Sequence, residues 1–389
     1  SLDAKTTQAV ATLRNTGGSD LNWSASALSQ LPAALNFAPS GETGKDQAGD
    51  TMRIRFAGWA ASCVVMTSFA SVTSAEQAAT SAAPVAPAAA VTDVLDRPSM
   101  PSELAAKRLL LGMARAGDRF VAVGPRGHIV VSSDGGQTWQ QSKVPVSSDL
   151  TAVYFPSATR GWAVGHDGVV LATTDGGATW AKQLDGRAVN RLILDDVNAK
   201  LAADPASESL QALVAEAQRY QDEGPDKPFL DVWFEDENHG FVVGAYNLIL
   251  ETTDGGKTWQ SWFDRVANPR FMNLYSIRPA AGGLYVSGEG GVVFRHDAAN
   301  RRFDAVPVDY AGSLFAVVDA GDAVLVCGLR GNLFRSADGG ATWQKIDGRL
   351  PATIVSGAPI GPRSAVLADQ GGRLSVTRDG GVTFEPIKL

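Results

Sequence analysis

The residues able to do chemistry in this chain are few and far apart. Four His (128, 166, 239 and 296) form no HExxH or similar pair, and Cys63 and Cys327 match no thiolate metal spacing. Neither a metal nor a cofactor is therefore expected. A different set is more informative, because it occupies equivalent places in a repeat: Arg126, His166, Asp167, Tyr246, Asn247, Glu289 and Arg330. Two chemistries fit these types. Arginines on a substrate carboxylate, a Tyr/Glu nucleophile pair and an acid/base Asp would serve glycoside hydrolysis. Arginine and aromatic side chains on one surface would equally serve as hot spots for a protein partner.

Composition narrows the partner class. The 389 residues carry 41 acids against 34 bases, a net charge of −7, and no basic run interleaved with aromatics occurs. A phosphate-tracking surface needs clustered Lys/Arg, so nucleic acid is not an expected partner.

The N-terminal part reads as processing rather than fold. Met52 opens Met-Arg-Ile-Arg-Phe-Ala, an apolar run follows, and Thr73-Ser74-Ala75 precedes Glu76. Two arginines, a moderate apolar stretch and small residues are the layout of a secretory signal over 52–75. Residues 1–51 read as an upstream extension outside the fold. Residues 76–106, rich in Ala and Pro, read as a tether.

A repeat carries the rest. Ser132-Ser-Asp-Gly-Gly-Gln-Thr-Trp139 returns as Thr173–Trp180, Thr252–Trp259, Ser336–Trp343 and Thr377–Phe384. Ten residues before each Asp stands Gly124, Gly165, Gly244 or Gly328, with Asp369 in the last copy. The same offset from Gly288 reaches Ala298, and five further on stands Phe303, so an eroded sixth copy is expected there. Aligned positions 134, 175, 254, 298, 338 and 379 are spaced by 41, 79, 44, 40 and 41, the excess being one insertion. Short apolar runs broken by Gly and Asp give four strands per copy, the pattern of a β-propeller blade. The fold class is therefore all-β, a propeller over 107–389 of six countable blades with a helical insertion at 186–228.

In this Asp-box, or bacterial-neuraminidase repeat, the carboxylate of Asp134, Asp175, Asp254, Asp338 or Asp379 accepts turn N–H groups. The aromatic (Trp139, Trp180, Trp259, Trp343 or Phe384) packs between blades. Identical copies around a ring cannot converge on one reaction, so these positions read as structural. In the insertion, Asp204-Pro205 reads as a helix start, with Leu210, Leu213, Val214 and Ala217 as one apolar stripe. Loops 2–3 and 4–1 of every blade share the rim opposite the Asp-boxes. That rim carries the variable set and the insertion, and is the expected binding face. Cys327 falls in a strand column of valines and reads as core.

Over roughly 107–389 the chain resembles the photosystem II assembly and stability factor family, with 244–259 (Gly-Ala-Tyr-Asn-Leu-Ile-Leu-Glu-Thr-Thr-Asp-Gly-Gly-Lys-Thr-Trp) carrying the likeness. The resemblance implies an exported, monomeric, non-enzymatic scaffold on the periplasmic or lumenal face. Its partner would be a membrane protein complex, either a photosystem-like assembly intermediate or a bacterial exporter. It also implies seven blades, where six repeats are countable. The rival readings are an Asp-box glycoside hydrolase of sialidase type and a carbohydrate-binding propeller. Against the hydrolase, the chain lacks an Arg-Ile-Pro motif and a third arginine beside Arg126 and Arg330.

Overall fold

The computed structural model describes residues 92–388. Six four-stranded antiparallel sheets follow one another, each a meander of strands consecutive in sequence. They occupy 112–141, 150–184, 229–261, 274–305, 314–347 and 354–387, here blades one to six. Blade two has strands Leu150–Tyr154, Gly161–Gly165, Val170–Thr173 and Ala181–Leu184. The eroded copy is a complete blade: blade four ends in Arg302–Ala305, and Phe303 is fully buried.

A four-stranded sheet has two apolar faces and must bury both. Here the box aromatics do much of this. Trp180 joins Val121, Val123 and Leu171 between blades one and two. Trp259 joins Trp162 and Phe234 between two and three. Phe303 lies between three and four, Trp343 between four and five, and Phe384 between five and six. Trp139 has no blade before it among the described residues and packs on Ala106, Leu110 and Met113. Among the described residues no apolar cluster joins blade six to blade one. Cys327 is fully buried, and desolvation pushes its thiol up to about 12, as suits a core residue.

The insertion is a helical pair, α1 (Gly186–Ala203) and α2 (Glu208–Glu223). Asp185 caps α1 by accepting from Arg187 and Ala188 N–H. The expected start at Asp204-Pro205 is displaced: Asp204 ends α1, and the Ser207 hydroxyl accepts the Leu210 N–H to start α2. Val189, Ile193, Val197, Ala217 and Tyr220 bury the pair in the blade two–three core. Leu210 is left half-buried at the end of the stripe.

The expected signal, the upstream extension and Cys63 lie outside the described residues, as does the tether as far as residue 91. From Thr92 the tether reading fails. Leu95 is buried, Ser147 N–H donates to Val94 O at 2.8 Å, and Ser99 N–H donates to Val144 O at 3.0 Å. Arg187 of α1 grips Asp93 at 2.6 Å and Asp96 at 2.9 Å. One well-placed Leu and a row of backbone bonds hold this segment, which composition alone does not reveal.

Candidate partner-binding rim

In blades one to five, two residues joining strands two and three both adopt the left-handed conformation. The pairs are Arg126–Gly127 (φ 58, 68°), Asp167–Gly168 (58, 62°), Tyr246–Asn247 (53, 66°), Gly290–Gly291 (64, 79°) and Arg330–Gly331 (56, 72°). This is the type I′ hairpin, whose twist matches that of the strands and whose favoured residues are Asn, Asp and Gly. Arg or Tyr at the first position costs roughly 1–2 kcal/mol of backbone strain. Yet Arg126, Tyr246 and Arg330 stand there, exposed.

The tips are clamped from the connection entering the next blade. Asp149 Oδ1 accepts Arg126 N–H at 2.8 Å, while its carbonyl accepts His166 N–H at 2.8 Å. Asn273 Oδ1 accepts Tyr246 N–H at 2.8 Å, and its carbonyl accepts Glu289 N–H at 2.9 Å. Thr353 does the same for Arg330 and Gln370. One polar residue thus ties two neighbouring tips. The glycine ending strand two makes room for this: a Cβ on Gly165 would lie 2.1 Å from Asp149 O. In blade six Asp369 replaces that glycine, and its carboxylate accepts Gly371 and Arg373 N–H instead. Sequence reading missed Asp149, Asn273 and Thr353. Their only signal is a polar residue directly before the first apolar residue of a blade.

Around Tyr246 the rim meets the insertion. Tyr220 donates its hydroxyl to Tyr246 O at 2.7 Å, and burial pushes that hydroxyl far above its ordinary range. Arg219, paired with Glu216 and Glu223, lies 5.1 Å from the Tyr220 ring and 5.9 Å from the Tyr246 ring. Tyr246 keeps 46% exposure, the polar and apolar character typical of an interface anchor.

The expected set divides on inspection. Arg126, His166, Tyr246 and Arg330 are exposed; Asp167 and Glu289 are half-buried. The Glu289 carboxylate accepts the Asn273 amide at 2.9 Å, which links it to the Tyr246 tip. Asn247 is corrected. It is 1% exposed, donates to Phe263 O and accepts from Asn268, so it braces the turn from inside and cannot meet a partner. Among the described residues, no hydrogen bond or ion pair joins the side chains of Arg126, Asp167, Tyr246, Glu289 and Arg330. They sit on five different blades.

The innermost strands of all six blades line a central cavity of about 460 Å³, with Met113, Val153, Tyr275, Phe315 and Val355 among its walls. Its charged pair is internally spent. Arg278 binds both oxygens of buried Asp231 at 2.7 and 2.9 Å and also donates to Val232 O and Ile277 O. Burial raises the Asp231 carboxyl, with Arg278 opposing.

On the other rim the boxes are chemically closed. In each, the Asp Oδ1 accepts the N–H of the Thr four residues on (2.9 Å for Asp134, Asp175, Asp254 and Asp338, 3.0 Å for Asp379). That Thr hydroxyl donates to Oδ2, and the leading Ser or Thr donates to Oδ1 while accepting a glycine N–H. These bonds hold the carboxyls of Asp134, Asp254, Asp338 and Asp379 down at about 2. The largest cause is the Thr hydroxyl, except at Asp254, where it is the Thr258 N–H.

Fold and rim define an Asp-box β-propeller with a clamped, strained hairpin rim and a helical insertion. The sequence profile of the photosynthesis system II assembly factor YCF48 family matches residues 131–203 and 214–313, and over those residues the chain is similar to that family. It is 30% identical over 158 residues to the photosystem II assembly lipoprotein Ycf48 of Synechococcus sp. (strain CC9902), covering 40% of this chain and 35% of that protein. It is 69% identical over 35 residues to a Ycf48 of Prochlorococcus marinus, 9% of this chain and 10% of that one. The matched stretches thus span about a third or less of these relatives' own length. A solved structure described as YCF48 bound to D1 peptide shares the fold, with a TM-score of 0.51 and 18% identity over 71% of this chain and 80% of that one. Among the described residues, no helix is long and apolar enough to cross a membrane.

Proposed function

We propose that this chain is an exported, non-enzymatic scaffold or assembly factor that binds a membrane protein complex through its hairpin rim. It would work at the periplasmic or lumenal face, peripheral to the membrane. One observation carries the reading: Arg126, Tyr246 and Arg330 occupy strained left-handed positions on one rim. Glycine would relieve each of them, so strain retained under large exposed side chains points to use of those side chains. The relationship to the YCF48 family supports the same reading, since a solved YCF48 carries a D1 peptide. The spread of Arg126, Asp167, Tyr246, Glu289 and Arg330 over five blades argues against one hydrolytic centre, which needs its groups within hydrogen-bonding reach of one substrate.

The test is capture of a membrane complex from the host's solubilised membrane fraction. Wild-type protein should retain a defined complex, and Arg126→Ala/Tyr246→Ala/Arg330→Ala should lose it with little change in melting temperature. Wild-type capture by the triple variant would move the face elsewhere. Turnover of a fluorogenic sialoside or a β-glucan by the pure protein would overturn the non-enzymatic reading.

A further inference from the structure

A second polar site lies at the outer edge between blades three and four, away from the hairpin tips. There a cavity of about 540 Å³ is lined by Asp264–Ala267 on one side and Ala299–Arg302 on the other. The two segments run in parallel, bridged at Val266 and Phe303. The second segment is the turn where the repeat lost its Asp-box. In place of the box, Asp297 accepts Ala299 and Asn300 N–H, and the chain then turns through Arg301 at φ 49°.

Three arginines meet at this cavity, and each is oriented by the fold. Trp262 is buried, and its ring has Arg265 at 5.3 Å and Arg301 at 5.7 Å. Its indole N–H donates to Glu251 Oε2 at 2.8 Å, and the same oxygen receives Arg301 at 2.7 Å. Glu251 thereby holds the left-handed Arg301 in place. Arg302 pairs with Asp304 at 2.5 Å, both half-exposed. Arg265 has the Trp262 face but no carboxylate among the described residues. The acid lining the cavity, Asp264, is already taken by Lys200 of α1 at 2.7 Å.

We propose that this cavity binds a phosphoryl group, free as a small phosphomonoester or carried as a phospholipid headgroup. Planar guanidinium forks recognise phosphate oxygens in pairs, and stacking on Trp262 fixes Arg265 before any ligand arrives. Loss of the Asp-box is what allows this: an intact box would close the turn on its own carboxylate, whereas the turn found here places Arg301 and Arg302 on the cavity wall. Strain at Arg301, maintained by Glu251 and Trp262, is the mark of a position kept for its side chain.

Titration calorimetry with inorganic phosphate and glycerol 3-phosphate, and flotation with phosphatidylglycerol against phosphatidylcholine vesicles, test the site. Wild-type protein should show saturable binding to at least one probe. Arg265→Ala/Arg302→Ala should weaken it at least tenfold, and Arg330→Ala on the hairpin rim should leave it unchanged. Should the alanine pair unfold, Arg265→Gln/Arg302→Gln removes the charges with the stems kept and should show the same loss. Binding of glycerol 3-phosphate without flotation assigns a soluble phosphate; flotation on phosphatidylglycerol alone, lost in the double variant, assigns a headgroup. No saturable binding to any probe, or equal binding by wild type and a folded double variant, overturns the proposal. Neither result depends on the hairpin rim.

Discussion

The two rims of the ring are built by opposite rules. On one, five near-identical turns close their carboxylates on themselves: the Asp oxygens accept from the flanking hydroxyls and from a Thr N–H, and the leading hydroxyl accepts a glycine N–H. On the other, the turns share a backbone but not their side chains, and three of them carry Arg or Tyr where glycine would be easier. A repeat therefore separates its tasks by face. The satisfied rim stabilises the stack, and the strained rim displays what distinguishes one blade from another. The eroded turn of blade four sharpens the point, because it is the place on the first rim where arginines replace the closed box.

This contrast can be broken experimentally, beginning with the box aromatics. Trp180 is buried among blade one and blade two residues and meets Phe155 edge-on at 6.0 Å. Trp180→Ala should cost about 3–5 kcal/mol in denaturant melts, since the cavity cannot collapse between two sheets. A loss under about 1 kcal/mol would mean that blades one and two do not stack through it.

Asp175→Ala should cost less, about 1–2 kcal/mol, by leaving the Thr179 N–H without its acceptor in a partly exposed turn. Partner binding by the folded fraction should not change. Unaltered melts would remove the structural role of the box.

On the opposite rim the sign should reverse. Arg330→Gly relieves left-handed strain but adds freedom to the unfolded chain. It should be more stable than Arg330→Ala by about 1 kcal/mol, while both weaken partner capture. If alanine is the more stable, the tip is not strained.

The smallest effect is electrostatic. The carboxyls of Asp134, Asp254, Asp338 and Asp379 sit at about 2 against an ordinary 3.8, so their bonds favour the folded, ionised state. That contribution is complete above pH ~4 and is lost as pH falls toward ~2. Melting temperature should decline more steeply over that window in wild type than in a protein with Asn at 134, 254, 338 and 379. Solvent screening keeps the difference small, because Asp134 and Asp338 are exposed and Asp254 and Asp379 half-buried. Parallel acid profiles would show that the carboxylates bind equally well when protonated.

Much of this was written in the residue order. A motif of eight residues at a spacing near 40 determines strand number, blade order and which loops share a rim, because a meander alternates its turns and leaves no other choice. Burial of Phe303 and Cys327 followed from column position alone. What tertiary structure decided concerns contacts between distant segments. Asn247 stands beside Tyr246 in sequence yet turns inward, because Phe263 and Asn268 supply partners that no local pattern announces. The clamps at Asp149, Asn273 and Thr353 act across a blade boundary, and Leu95 anchors a segment whose composition reads as a tether. Arg265, Arg301 and Arg302 meet because two sheets lie side by side. Periodicity specifies which residues face a neighbour; only packing specifies which neighbour they find.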